Sequence, residues 1–250
     1  MLAGWLAGGL DPARFAVVDP VLAEVPAGVA LRRELPVGES FSTVLLGVKP
    51  QLLGAVAPGL EPLVGPETVL LSILAGADLA ALATHFPRAR AVVRVMPNLS
   101  AAIGRSPLGL SGLGVDPQVR AAVDALLAPL GAAQWLDEGL MDAVTALAGS
   151  GPAFVYRFID ALAAGGVALG LEAEQARALA KATVEGAALL AAGADVAPAE
   201  LARRVTSPGG TTAAGLAVLD AGLDRLVSAT LEAAAARSRE LAELARTASS

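Results

Sequence analysis

Residues 43–96 read TVLLGVKPQLLGAVAPGLEPLVGPETVLLSILAGADLAALATHFPRARAVVRVM. Three short apolar runs, Thr43–Val48, Thr68–Ile73 and Ala91–Met96, are separated by two stretches that read as helix, Pro50–Leu63 and Ala77–Thr84. The runs are rich in Val and Leu and nearly continuous, the pattern of strands buried on both faces of a parallel sheet. Strand alternating with helix is the signature of a doubly wound α/β domain. Working outward, Phe15–Asp19 is a further strand upstream, Pro117–Leu130 a further helix downstream, and a short strand lies near Ala133–Leu136.

Beyond Leu136 the reading changes, and no convincing strand follows. Ser150-Gly-Pro152 is a good helix start, because Ser caps and Pro suits the first turn. That helix runs to about Leu169 and stops at Gly170. A second covers roughly Ala173–Ala192, Pro198 opens a short third, a fourth begins just after Gly210, and a fifth spans about Leu223–Ala245. The boundary is expected near Glu138, with an α/β domain over residues 1–138 and an all-α domain over 139–250. Hydrophobic residues make up 55% of the chain but aromatics only 3%, so burial must rely on closely packed small residues such as Ala161, Ala164, Gly165 and Ala168. Helices this apolar cannot all hide their faces in so small a domain. An oligomer that shares its helical half between subunits is the expected remedy.

Composition removes several classes of function. The formal net charge is -6, and no basic cluster exceeds Arg32-Arg33 or Arg203-Arg204, which argues against nucleic acid as a partner. The longest uncharged run, the 15 residues Val205–Leu219, contains Pro-Gly-Gly, and a spanning helix needs roughly 20 apolar residues. The N-terminus lacks the basic region of a secretory signal. A cytoplasmic protein without a membrane partner is expected. Cysteine is absent, so there is no disulfide, thiolate nucleophile or thiolate metal site. The one histidine, His85, rules out multi-histidine metal sites and reads as a surface or capping residue. No metal is expected.

Dinucleotide-binding domains open with a strand, a glycine-rich turn and a helix whose N-terminus holds the pyrophosphate. An acidic residue follows about 20 residues after the glycines, at the end of the second strand. Asp19 ends the run Phe15–Asp19 and fits that role, but counting back about 20 residues leads to just before Met1. Met1–Leu10 then reads as the back half of the first helix. Gly4, Gly8 and Gly9 do not form G-x-G-x-x-G, and Gly149-Ser-Gly151 follows helical sequence and reads as a helix-to-helix hinge. The expectation is a Rossmann-like domain lacking its first strand and phosphate loop. Calorimetry on these 250 residues should then show weak cofactor binding.

Three stretches carry possible chemistry. In Thr206-Ser-Pro-Gly-Gly-Thr-Thr212 the two glycines let backbone approach a ligand closely. Thr211 and Thr212 begin a helix whose first N–H groups lack internal partners and whose dipole favours an anion. This segment is either a carboxylate cradle without Arg or Lys or an ordinary helix start. Gly47-Val-Lys-Pro-Gln51 follows a parallel strand, where ligands bind in open α/β sheets; Lys49 either touches a cofactor or lies exposed in a loop. Asn98 of Val95-Met-Pro-Asn98 either hydrogen-bonds a ligand amide or shapes its turn.

Taken together, Val48-Lys-Pro-Gln51, Arg94-Val-Met-Pro-Asn98, Asp142-Ala-Val-Thr-Ala-Leu-Ala-Gly-Ser-Gly-Pro152 and Val205-Thr-Ser-Pro-Gly-Gly-Thr-Thr212, followed by Ala-Gly-Leu-Ala-Val-Leu219, resemble the pyrroline-5-carboxylate reductases in order and spacing. The similarity runs from Met1 to about Leu244. It implies a Rossmann-like N-terminal domain and a helical C-terminal domain that interlocks into homodimers and assembles further into decamers. The implied reaction reduces a cyclic imine to proline with hydride from a nicotinamide cofactor. The resemblance places Ser207, Gly209, Gly210, Thr211 and Thr212 around the substrate carboxylate, with Thr212 approaching the ring nitrogen as the catalytic residue. Asp195 falls where the family carries an acidic residue, commonly Glu, near the substrate. Val48, Lys49, Pro50, Pro97 and Asn98 would lie along the cofactor.

The family commonly uses NADPH, and many members accept NADH. At the end of the second strand this chain has Asp19-Pro20, and a carboxylate favours a ribose hydroxyl over a 2′-phosphate. Asp19 therefore leans the reading towards NADH. Two alternatives stand beside it: a related imine or hydroxyacid reductase, and an impaired reductase fragment acting only as a helical oligomer.

Overall fold

The computed structural model describes residues 1–248. The chain divides into two compact units, Met1–Ser150 together with Ala233–Ser250, and Gly151–Glu232.

The first unit holds two sheets. Strands β1 (Ala16–Val18) and β2 (Ala30–Arg32) form a parallel pair. A five-stranded sheet has the order β3 (Thr43–Leu46), β4 (Val69–Ser72), β5 (Ala91–Met96), β6 (Ser106–Leu113) and β7 (Gly131–Trp135). Its pairings are parallel except β5 with β6. Among the described residues, β1 and β3 are each paired on one side only.

The strands expected from Val- and Leu-rich runs are present; β2 and β6 were not expected. β2 is three residues long and lies between turn residues. β6, with sequence SPLGLSGL, has no β-branched residue, and its Pro and glycines read as loop. Those glycines answer packing. A Cβ at Gly109 would lie 2.4 Å from Val144 Cγ1, and one at Gly112 would lie 2.4 Å from Val115 Cγ2.

The helices of this unit are α1 (Leu2–Ala7), α2 (Leu53–Leu60), α3 (Leu79–His85), α4 (Pro117–Leu127) and the short α5 (Met141–Val144). The expected helix Pro50–Leu63 is a helix flanked by two 3₁₀ turns, Pro50–Leu52 and Glu61–Leu63, with Pro58 inside α2. Prolines remove the amides a longer helix would need. Alternation in the strands splits the apolar residues into two cores. Val69, Leu71, Val93 and Val95 face Trp5, Val119, Val123 and Leu127. Leu46, Leu70 and Val92 face Leu53, Ala57, Leu82 and Phe86. His85 sits half-buried in the last turn of α3, beside Phe86.

The second face turns polar toward the strand ends. Arg94 of β5 is flanked in register by Ser72 of β4 and Ser111 of β6, all three buried. Directly paired residues share a face, and two small serines leave room for the guanidinium. Arg94 Nη1 donates to Glu138 Oε1 at 2.9 Å, and the same oxygen accepts from Leu79 N at 2.7 Å. One carboxylate thus ties β5 to the N-terminus of α3, which Asp78 caps through Ala81 N.

After α5 the backbone widens into a π turn, Thr145–Gly149. The second unit begins at Gly151 with α6 (Gly151–Ala168), so Gly149-Ser-Gly151 is helical on both sides. Then come α7 (Ala173–Ala192), α8 (Pro198–Arg204), α9 (Thr211–Asp220) and α10 (Leu223–Ala248). Gly166 of α6 packs on Ala176 of α7, where a Cβ would meet the Ala176 Cβ at 3.3 Å. Only Ala176 and Ala180 are buried hydrophobics in this unit among the described residues. Tyr156, Phe158, Leu189, Leu190, Val218 and Leu226 are exposed.

The far part of α10 completes the first unit. Ser238 Oγ donates to Asp142 Oδ1 at 2.7 Å. Gly76, at φ +85, lies so close that a Cβ there would be 2.8 Å from Ala242 Cα. Among the described residues no helix is long and apolar enough to cross a membrane, and no three His, Asp or Glu residues gather as a metal site.

Candidate active site

Asp19 follows β1 by one residue. Its backbone N–H donates to Arg32 O at 3.0 Å, extending the pairing with β2. The Oδ1 atom accepts from Val21 N at 2.8 Å and Leu22 N at 2.9 Å. These two amides, with the Arg33 guanidinium nearby, hold the Asp19 carboxyl below its usual range. It therefore stays ionised at neutral pH. Arg33 Nη1 donates to the carbonyls of Asp19, at 3.1 Å, and of Leu22.

Val48, Lys49 and Pro50 lie past the carboxyl end of β3. Lys49 is exposed and precedes the 3₁₀ turn Pro50–Leu52 in extended backbone. Pro97 and Asn98 follow β5, whose neighbour β4 is parallel to both β3 and β5, so both loops leave the same edge. Asn98 is tied to the protein by its side chain and its backbone. Its Oδ1 accepts from Ser100 N, its Nδ2 donates to Ala148 O and its N–H donates to Ser106 Oγ, each at 2.9 Å. These bonds shape the turn that follows β5.

In the second unit, Thr206 Oγ1 donates to Ala202 O at 2.6 Å, and Gly210 N donates to Ser207 O at 3.0 Å. Gly209 has φ +67, a left-handed conformation that glycine adopts without strain. The chain then enters α9 with Gly210 as N-cap, and no side chain caps the first turn. Ser207, Thr211 and Thr212 are exposed. The two preceding cations are already committed. Arg203 Nε lies 2.6 Å and Arg204 Nε 2.9 Å from Glu200, whose carboxyl they hold below its usual range. What faces outward here is an uncharged turn and a row of helix amides, suited to a small carboxylate. Asp195 is exposed between α7 and α8.

Sequence reasoning missed two arginines. Arg94 had a visible signal, a charge inside the run Ala91–Met96. Arg33 had none, because its partners are fixed only by the pairing of β1 with β2.

The family profile described as pyrroline-5-carboxylate reductase dimerisation matches residues 138–241, the region that carries most of the exposed apolar side chains. Pyrroline-5-carboxylate reductase of Pseudomonas aeruginosa is 41% identical over 256 residues, covering 97% of this chain and 92% of its own length. A solved pyrroline-5-carboxylate reductase from Coxiella burnetii has a TM-score of 0.88 at 29% identity, over 96% of this chain and 93% of that one. A Plasmodium falciparum pyrroline carboxylate reductase solved with NADP bound shares the fold, with a TM-score of 0.79 at 24% identity over 96% and 92% of the two chains. With a sheet, a helical unit and a relative of this identity in agreement, the chain belongs to the pyrroline-5-carboxylate reductase family.

Proposed function

We propose that the chain reduces 1-pyrroline-5-carboxylate to L-proline, the last step of proline biosynthesis. A bound nicotinamide dinucleotide supplies the hydride. The ring carbon of the C=N bond gains that hydride, and the nitrogen ends as an amine. A protonated imine is already electrophilic, so the protein mainly needs to align it. That agrees with a chain lacking Cys and holding a single His.

The observation that carries the reading is the start of α9. Its first-turn amides have no side-chain cap, and the nearby Arg203 and Arg204 are paired to Glu200. Backbone donors of the turn Ser207–Thr212, including Gly209, Gly210 and Thr211, hold the substrate carboxylate. Thr212 hydrogen-bonds the imine nitrogen and holds its proton, and Asp195 lies near the substrate. The residue pattern fits a dinucleotide in part. Asp19 offers a ribose acceptor, and Val48, Lys49, Pro50, Pro97 and Asn98 lie beyond strand ends, where such ligands bind. The glycine-rich pyrophosphate turn is not among these residues. Asp19 favours NADH.

The division of labour places cofactor binding in residues 1–138, and substrate binding and dimerisation in 139–250. Exposed apolar faces on α6, α7, α9 and α10 support a homodimer through these helices, assembled further into decamers in the cytoplasm.

Thr212→Ala is expected to lower kcat about 100-fold with little change in KM for the imine, the size typical of a lost proton donor. Steady-state kinetics at saturating cofactor measure it. Wild-type turnover in that variant would remove Thr212 from the chemistry.

A further inference from the structure

We infer that Arg33 is a positioning residue for cofactor choice: it clasps the turn that aims the Asp19 carboxylate at the ribose. This rests on the proposed function and goes beyond it by naming what sets the ribose preference. The turn is Asp19-Pro-Val-Leu22. Its two ends are bridged by one guanidinium nitrogen, because Arg33 Nη1 donates to the carbonyls of both Asp19 and Leu22. Inside the turn, Asp19 Oδ1 accepts from Val21 N and Leu22 N. The pairing of Asp19 N with Arg32 O places Arg33 one residue further along, against the turn.

The consequence is directional. With Oδ1 held by two amides, Oδ2 is the atom left to accept from a ribose hydroxyl, and its direction is fixed by the turn. An exposed carboxylate on an unclasped loop would sample many orientations and lose most of that selectivity. The contacts that the two arginines make engage the Nη1 atom of each. Arg32 is committed to Glu39 at 2.5 Å, and Arg33 to the two carbonyls. Arg33 thus serves NADH through Asp19, by way of the Nη1 bonds to the two carbonyls.

The test compares Arg33→Ala, Arg33→Lys, Asp19→Ala and the Asp19→Ala/Arg33→Ala double variant of the full chain. Amide hydrogen exchange on the free protein reads the clasp without cofactor. Val21 and Leu22 should exchange faster in Arg33→Ala, with Arg33→Lys between it and the wild type. KM for NADH should rise about tenfold in Arg33→Ala at unchanged kcat, as for one lost charge-assisted hydrogen bond. In the Asp19→Ala background the second substitution should add nothing. Unchanged exchange and unchanged KM for NADH in Arg33→Ala would overturn the inference. So would a rise in KM for NADPH alone, the mark of a direct phosphate ligand, or additive effects in the double variant. If the wild type reduces the imine with neither cofactor, the proposed function has failed instead. Dissociation constants for NADH and NADPH, measured on the same variants by fluorescence titration, then decide the role of Arg33 together with the exchange rates.

Discussion

Arg94→Ala should lower the unfolding free energy by about 3 kcal/mol, the range for breaking a buried ion pair from one side. The guanidinium lies in the middle of the sheet at 10% side-chain exposure, while its partner Glu138 is 34% exposed. With Glu138 this exposed, water takes over part of the lost interaction and the loss falls at the lower end of that range. The loss does not stop at one pair. Glu138 Oε1 also receives Leu79 N, so a carboxylate without Arg94 relaxes away from the start of α3. Buried Ser72 and Ser111 lose the cation between them. Urea denaturation measures the change. A destabilisation under about 1 kcal/mol would show the pair to be no more than an ordinary surface ion pair. Arg94→Met combined with Glu138→Leu should recover much of the loss, since a packed apolar pair often equals a buried ionic one.

Gly131→Val should be at least as damaging, at about 3 kcal/mol or more from backbone strain and overpacking together. Gly131 has φ +143 and ψ -150, a region that only glycine occupies comfortably. A Cβ there would lie 2.0 Å from Ser106 O and 2.5 Å from Ser106 N, both backbone atoms that cannot swing aside. Gly131 and Ser106 are the first register pair of β7 with β6. The push passes onward, because Ser106 Oγ accepts the Asn98 N–H. Thermal unfolding should show a lowered midpoint, and the loop after β5 should lose protection in amide exchange. A variant that melts with the wild type would show that the β6–β7 start tolerates rearrangement.

Legibility followed the physics of each segment. β4 and β5 were readable because strands buried on both faces demand continuous apolar runs, and the half-buried β3 carries the same Val- and Leu-rich pattern. β6 was not, because a Cβ at Gly109 would meet Val144 and one at Gly112 would meet Trp135 as well as Val115, and Val144 and Trp135 are distant in sequence. Helix ends were readable where Pro or Gly fixed them, as at Pro117, Gly170 and Pro198. The turn before α9 stood out because Pro-Gly-Gly-Thr-Thr combines backbone freedom with a helix start. Asn98 could be placed at the end of β5, but its bond to Ala148 O depends on a residue 50 positions away. Arg33 was invisible for the same reason at shorter range.

The closing of the first unit by residues past Ala233 has a consequence for synthesis. Contacts such as Gly76 with Ala242 and Asp142 with Ser238 cannot form until α10 has been translated. A nascent chain emerging from the ribosome therefore carries its sheet without the helix that covers Gly76 until the second unit has been made. Domains ordinarily fold as units in order of emergence. This one must wait for the second half of α10, which follows the whole of the second unit in the chain.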